Sequence, residues 1–199
     1  MFLNKLKKTI FIVIFMVTTN LDAIASQSKI NQDLKIEVAI LAGGCFWGVE
    51  SLFSKLDGVV KTEVGYIGGS VENPNYQLVS TGITGHAESV KISFDANKIS
   101  YHKILKYFFS IHDPTQLDRQ QNDIGSQYAS IIFYLNAQQK IIAQDVIKEA
   151  QDKKIFNSSI KTKIVEAKKF YPAEDYHQKY LQKNPQGYNC HYQRPHWVF

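Results

Sequence analysis

"IEVAILAGGCFWGVESLF" (36–53) changes its periodicity across a pair of glycines. Before them, 36–42 is a short apolar run, the pattern of a buried strand. After them, Phe46, Val49, Phe53 and Leu56 recur on one stripe, which predicts a helix over 45–56. Gly43 and Gly44 let the backbone turn tightly between the two. A β-α unit therefore opens the domain, and Cys45 stands at its joint.

Outward from this unit the elements continue in alternation. Residues 59–67 read as a strand with Val60, Thr62, Val64 and Tyr66 on one face, and 87–94 as a second strand. A helix over 100–112 takes Ser100 as its N-cap. "YASIIFYL" (128–135) is apolar on both faces, as an interior strand must be. An amphipathic helix over 137–152, a strand over 162–167, a break at Pro172 and a final helix near 173–183 follow. The order β-α-β-β-α-β is that of the split β-α-β arrangement. The expected fold is α+β, a two-layer ferredoxin-like sandwich with a mixed sheet, occupying 36–183. The irregular C-terminal tail, 184–199, is expected to be a coil able to move.

The chain has 199 residues, 44% of them hydrophobic and 21% charged, enough for one core and too few for two comfortable domains. Its start has a different character. A basic "MFLNKLKK", an apolar "TIFIVIFMVTT" and an Ala-x-Ala pattern at Ala23 and Ala25 make the three-part layout of a secretory signal. Residues 1–25 are expected to be that signal and 26–35 a flexible lead-in. The protein is then exported, periplasmic or secreted, with no stable membrane association after cleavage; an uncleaved anchor is the alternative. Removal of 1–25 takes away three lysines and one aspartate, so the formal charge of +5 falls to +3. No basic run is interleaved with aromatics, so nucleic acid is not an expected partner.

Two cysteines remain, Cys45 and Cys190. In an exported chain such a pair is the usual composition of a structural disulfide. The surroundings of Cys45 suggest chemistry instead. A helix N-terminus offers open N–H groups and the positive end of a dipole, so a thiolate with a depressed pKa is expected there. Phe46 and Trp47 add an apolar wall. In "HAESVKISF" (86–94), alternation places Glu88 with Val90, Ile92 and Phe94 on the apolar face, and Ala87, Ser89, Lys91, Ser93 and Asp95 on a wet one. Burial raises a carboxyl pKa and keeps the acid protonated near neutrality. Tyr76 and Tyr128 are further O–H donors. A thiolate with several such donors suits attack on a sulfur and protonation of a departing oxygen. A rival arrangement has His86 activating Cys45 for acyl transfer, and another is a binding module stapled by a Cys45–Cys190 bridge. Cys190, His191 and His196 offer three irregular ligands where zinc wants four, and no metal is expected. His86, His177 and Glu174 are read as structural hydrogen-bonding groups.

Several runs together resemble the type A peptide methionine sulfoxide reductase family: "GGCFWG" (43–48), "VGYIGG" (64–69), "NPNYQLVSTGITGHAE" (73–88), "HDPTQLDRQQNDIGSQYAS" (112–130), "AEDYHQKYL" (173–181) and "NPQGYNCH" (184–191). The resemblance extends over about residues 36–195. It implies that Cys45 attacks the sulfoxide sulfur, that Phe46 and Trp47 wall the substrate methyl group, and that Glu88 protonates the oxygen with help from Tyr76 and Tyr128. Asp123 resembles the aspartate that holds the substrate pocket together. Cys190 resembles the tail cysteine that resolves the sulfenic acid on Cys45. The implied substrate is the S epimer of methionine sulfoxide, free or in proteins. The implied reductant is an external thioredoxin-like dithiol, with no metal or organic cofactor, and the enzyme acts as a monomer. The chain departs from the pattern at Ser80 and Thr81, where many members carry a further cysteine, and at Ala129, where an arginine is usual. It also lacks a second recycling cysteine in the tail.

Overall fold

The computed structural model describes residues 34–199. The expected signal and nearly all of the lead-in lie outside the described residues. Among the described residues there are eight strands: β1 Ile36–Gly43, β2 Val59–Ile67, β3 Ala87–Asp95, β4 Arg119–Gln120, β5 Asp123–Ile124, β6 Ser130–Tyr134, β7 Lys163–Glu166 and β8 Tyr171–Pro172. The helices are α1 Phe46–Phe53, α2 Tyr76–Ser80, α3 Tyr101–Ile111, α4 Ala137–Asp152 and α5 Tyr180–Lys183. The main sheet runs β7-β6-β1-β3-β2-β8, with β4 and β5 paired apart. All its pairs are antiparallel except β6–β7, so the sheet is mixed. The β6-β1-β3-β2 centre is compatible with the split arrangement read from the sequence. Strand β1 lies between β3 and β6, and its run from Ala39 to Ala42 is accordingly buried on both faces.

Side-chain caps fix the helix starts. Ser100 accepts from Lys103 N–H at 3.2 Å and Asn136 accepts from Gln139 N–H at 2.9 Å, each satisfying a donor that the helix leaves open. One face of the sheet packs under α1, α3 and α4, with Phe46, Phe53, Phe94, Phe108 and Phe109 all buried.

The sequence reading needs four corrections here. The second face of β3 is not wet: Ala87 and Ser89 are buried, because Ile40, Ala42, Ile67 and Phe133 form a smaller cluster there under Phe170. Lys91 extends over the Phe170 ring, 4.8 Å from its centroid. Val60 is 55% exposed, because a bulge between Val59 and Lys61 interrupts the alternation. Tyr128 does not start a strand. It closes a short 3-10 turn, Ser126–Tyr128, pinned where Ser126 donates to Gly82 O and Gln127 to Ser80 O.

The fourth correction concerns the last helix, which shrinks to Tyr180–Lys183. In the preceding turn Glu174 accepts the Tyr76 N–H, and Gln178 both accepts the Val64 N–H and donates to Val64 O. Side chains committed to neighbouring backbone bend 173–179 out of helical geometry, and Lys179 adopts a left-handed conformation at φ 53°.

The tail is irregular as expected, yet it is fastened. His191 and Arg194 are buried, the Arg194 N–H donates to Ser110 O at 2.9 Å, and its guanidinium lies over the rings of Tyr192 and Trp197. The stretch ahead of Cys190, residues 184–189, is mostly exposed. No described helix is long and apolar enough to cross a membrane.

Candidate active site

Gly44, at φ 97°, makes the turn from β1 into α1, a conformation that side chains rarely adopt. Cys45 then occupies the N-cap position and is 7% exposed. Strand β3 delivers Glu88 beside it, 2% exposed, with Oε2 accepting the Phe46 N–H at 3.1 Å. The Trp47 N–H points to the Cys45 sulfur. The first donors of α1 are thus divided between a carboxyl and a thiol.

Burial raises the Glu88 pKa to about 8, against the pull of the Phe46 N–H. The acid is therefore mostly protonated at neutral pH, as expected from the sequence. The expectation for Cys45 is reversed. Desolvation pushes its pKa well above the ordinary thiol value, the Glu88 charge adds to this, and the Trp47 N–H opposes both. A helix dipole contributes about 0.3–1 kcal/mol at accessible sites, too little to hold a buried charge. At rest Cys45 is a thiol, and its proton must leave during the reaction.

Tyr76 and Tyr128 are half-buried, and burial, with the Glu88 charge adding to it, raises both phenols. Both stay protonated as O–H donors at neutral pH. Asp123, half-buried on β5, belongs to the same electrostatic neighbourhood. Its carboxylate accepts from the Tyr188 hydroxyl at 3.1 Å and from the Cys190 thiol at 3.2 Å. All five side chains thus converge with Cys190 on one site. Cys45 and Cys190 are both free thiols in this structure.

The apolar wall is an aromatic cluster. Phe46 is fully buried against Tyr66, at 5.9 Å between centroids, and Trp47 stacks on Tyr180 at 3.9 Å. Two residues read as merely structural hold this wall. His177 Nδ1 accepts the Trp47 indole N–H at 3.0 Å, and Glu174 accepts the Tyr66 hydroxyl at 2.9 Å as well as the Tyr76 N–H. Their run, "AEDYHQKYL", carries the signal, but only the tertiary structure aims it. From the sequence His191 stands out only as a candidate metal ligand. It sits between Gly43 O and the Cys190 sulfur, at 2.8 and 3.2 Å.

His86 does not face Cys45. Its Nε2–H donates to Val71 O at 2.7 Å and its Nδ1 accepts the Gly69 N–H at 3.2 Å. Both ring nitrogens are committed to loop backbone, which removes the acyl-transfer arrangement. Among the described residues no cluster of three or more His, Cys, Asp or Glu side chains converges as a metal site.

The family profile described as peptide methionine sulfoxide reductase matches residues 37–197. The chain is 54% identical over 152 residues to peptide methionine sulfoxide reductase MsrA of Pasteurella multocida, covering 76% of this chain and 86% of that one. It is 50% identical over 151 residues to the protein of that name from Methanothermobacter thermautotrophicus, covering 76% and 89%. Among solved structures, Mxr1 from Saccharomyces cerevisiae in its reduced form superposes with a TM-score of 0.76 at 38% identity, covering 80% of this chain and 93% of that one. Mxr1 in complex with Trx2 gives a TM-score of 0.55 at 26% identity, covering 80% and 91%. With its thiol, acid, tyrosines and aromatic wall on a matching fold, this chain belongs to the peptide methionine sulfoxide reductase family.

Proposed function

We propose that the protein reduces the S epimer of methionine sulfoxide, free and in polypeptides, and that it repairs oxidised exported proteins. The observation that carries the chemistry is the pair formed by a buried thiol and a protonated carboxyl at one helix N-terminus. The Cys45 sulfur attacks the sulfoxide sulfur as Glu88 gives its proton to the sulfoxide oxygen. The thiol proton returns to Glu88; the methionine S–O bond and the transient S–S bond then break as the oxygen transfers to the Cys45 sulfur, so methionine leaves and Cys45 carries a sulfenic acid. A carboxylic acid accepts at its carbonyl oxygen, so with Oε2 taken by Phe46 N–H the acidic proton sits on Oε1. Tyr76 and Tyr128 donate to the same substrate oxygen. Phe46 and Trp47 enclose the methyl group, and Asp123 holds the rest of the substrate once Tyr188 and Cys190 release it.

Cys190 then attacks the sulfenic sulfur. The S–S bond forms, the S–O bond breaks, and water departs. A thioredoxin-like dithiol reduces the disulfide, a reading that the complex of Mxr1 with Trx2 supports by analogy. All the groups come from one chain, so a monomer suffices, and the chemistry invokes no metal or organic cofactor. Export rests on residues 1–25, and the mass of the exported protein tests their removal.

The activity is tested by giving the reduced protein one equivalent of each resolved sulfoxide epimer, then counting methionine and free thiols. The expected result is one methionine formed and two thiols lost, with the S epimer alone. Cys45→Ser should form no methionine. Cys190→Ser should form one per enzyme and stop there in the presence of thioredoxin. Methionine from Cys45→Ser, or unimpaired cycling by Cys190→Ser, would refute the assignments.

A further inference from the structure

His191 is 3% exposed and carries two ring contacts of opposite kind. Its Nε2 lies 2.8 Å from the Gly43 carbonyl oxygen, which can only accept, so the Nε2 carries the proton. The Nδ1 is therefore left with its lone pair, and it faces the Cys190 sulfur at 3.2 Å. The tautomer is fixed by backbone only two residues before Cys45. The ring also rests on glycines of the nucleophile's own turn: a Cβ at Gly48 would come within 2.6 Å of His191 Nδ1, and one at Gly44 within 3.2 Å of the ring.

Building on the proposed function, we infer that His191 accepts the Cys190 proton in the step that closes the Cys45–Cys190 disulfide. In the resting protein that proton has a second acceptor, Asp123 Oδ2 at 3.2 Å. Asp123 sits on β5 and cannot follow the sulfur. His191 is the next residue in the chain, held to Gly43, and it stays beside Cys190 as the sulfur swings toward Cys45. Burial, with the hydrogen bond and negative charge of Asp123 adding to it, raises the Cys190 pKa to about 12, and leaving Asp123 removes the last two of these. The thiol proton passes to Nδ1 in the same step as the sulfur attacks the sulfenic sulfur of Cys45, so no free thiolate–imidazolium pair accumulates. The departing oxygen takes up the proton from the imidazolium and leaves as water, so neither an oxidant nor a reductant is required.

Other groups bear on this ring. Burial, opposed by Gly43 O and the Asp123 charge and aided by the Arg194 cation, brings the His191 pKa down to about 4. His112 faces it as a second neutral imidazole, and Asn189 Oδ1 accepts the His191 backbone N–H at 3.0 Å. The lone pair is therefore available throughout the neutral range.

The test separates the two half-reactions. Reduced protein receives one equivalent of methionine sulfoxide, and quenched samples give methionine for the first step. Free-thiol loss gives the second, and dimedone traps any accumulated sulfenic acid. His191→Gln keeps an N–H for Gly43 O but has no basic nitrogen at the sulfur, and His191→Asn keeps an acceptor there that cannot take a proton. Both variants should release methionine at the parent rate, accumulate trappable sulfenic acid and close the disulfide about 100-fold more slowly. Parent closure should be level between about pH 6 and 8, whereas variant closure should climb about tenfold per pH unit with the thiolate fraction. Closure within twofold of the parent, or slowed closure with a level pH profile, would overturn the role. So would loss of the methionine burst in both variants, which would make His191 an anchor of the fold. A parent that releases no methionine would overturn the proposed function, and this inference with it.

Discussion

Replacing Glu88 by Gln should make the protein a worse enzyme and a more stable one. The Glu88 carboxyl titrates at about 8 in the folded protein against an ordinary value of 4.5. Below 4.5 both folded and unfolded chains hold its proton, and its ionisation costs the fold nothing. Between 4.5 and 8 the unfolded chain releases the proton and the folded chain keeps it, so stability is lost as pH rises. The loss amounts to roughly 3 kcal/mol at pH 7 and about 5 kcal/mol above pH 8, at about 1.4 kcal/mol per pH unit. Glutamine has no such ionisation, and its carbonyl can still accept the Phe46 N–H. For a chain of this size the Tm gain of Glu88→Gln should be about 6–12 °C at pH 7, and near zero around pH 4. Thermal unfolding of both proteins at several pH values measures the gap. Methionine release in a single turnover should fall by about 100-fold or more, because the amide has no proton to transfer. A Tm gap that does not widen between pH 4 and 8 would show that Glu88 is ionised in the fold, and the proton-donor role would fail with it.

Two further substitutions probe how the site is held. His177→Phe removes the acceptor of the Trp47 indole N–H, and a buried donor left unpaired costs about 1–3 kcal/mol. KM should rise about tenfold by that arithmetic with kcat little changed, and Trp emission should shift to the red; an unchanged KM would show that Tyr180 stacking alone fixes the indole. Gly48→Ala suits helix α1, yet its Cβ would come within 2.6 Å of His191 Nδ1 and 2.7 Å of Asn189 Oδ1. The tail must lift, so disulfide closure should slow by about tenfold or more if the lost positioning exceeds 1.4 kcal/mol, while the methionine burst persists; free-thiol loss over time measures it, and parent-like closure would refute this docking.

Where the tail settles is the clearest case of what could not be read along the chain. Its prolines and lack of periodicity correctly predict an irregular path. The anchoring of that path at His191 and Arg194 depends on Gly43 O and Ser110 O, which lie far away in sequence. Glu174, read from the sequence as a structural hydrogen-bonding group, and Gln178 both lie in a run expected to be helical. Their partners, Tyr66, Tyr76 and Val64, belong to other elements, and those bonds outweigh local helix propensity.

By itself the sequence determined the alternation of strands and helices, the glycine turn that places Cys45, and Glu88 on the apolar face of β3. These follow from periodicity and from motifs whose geometry is local. The tertiary structure alone decided the protonation of the thiol. Dipole and N–H donors are local properties that favour a thiolate, whereas desolvation depends on how completely the rest of the chain closes over the sulfur. At 7% exposure closure prevails, and a cysteine that reads as a ready nucleophile rests with its proton on.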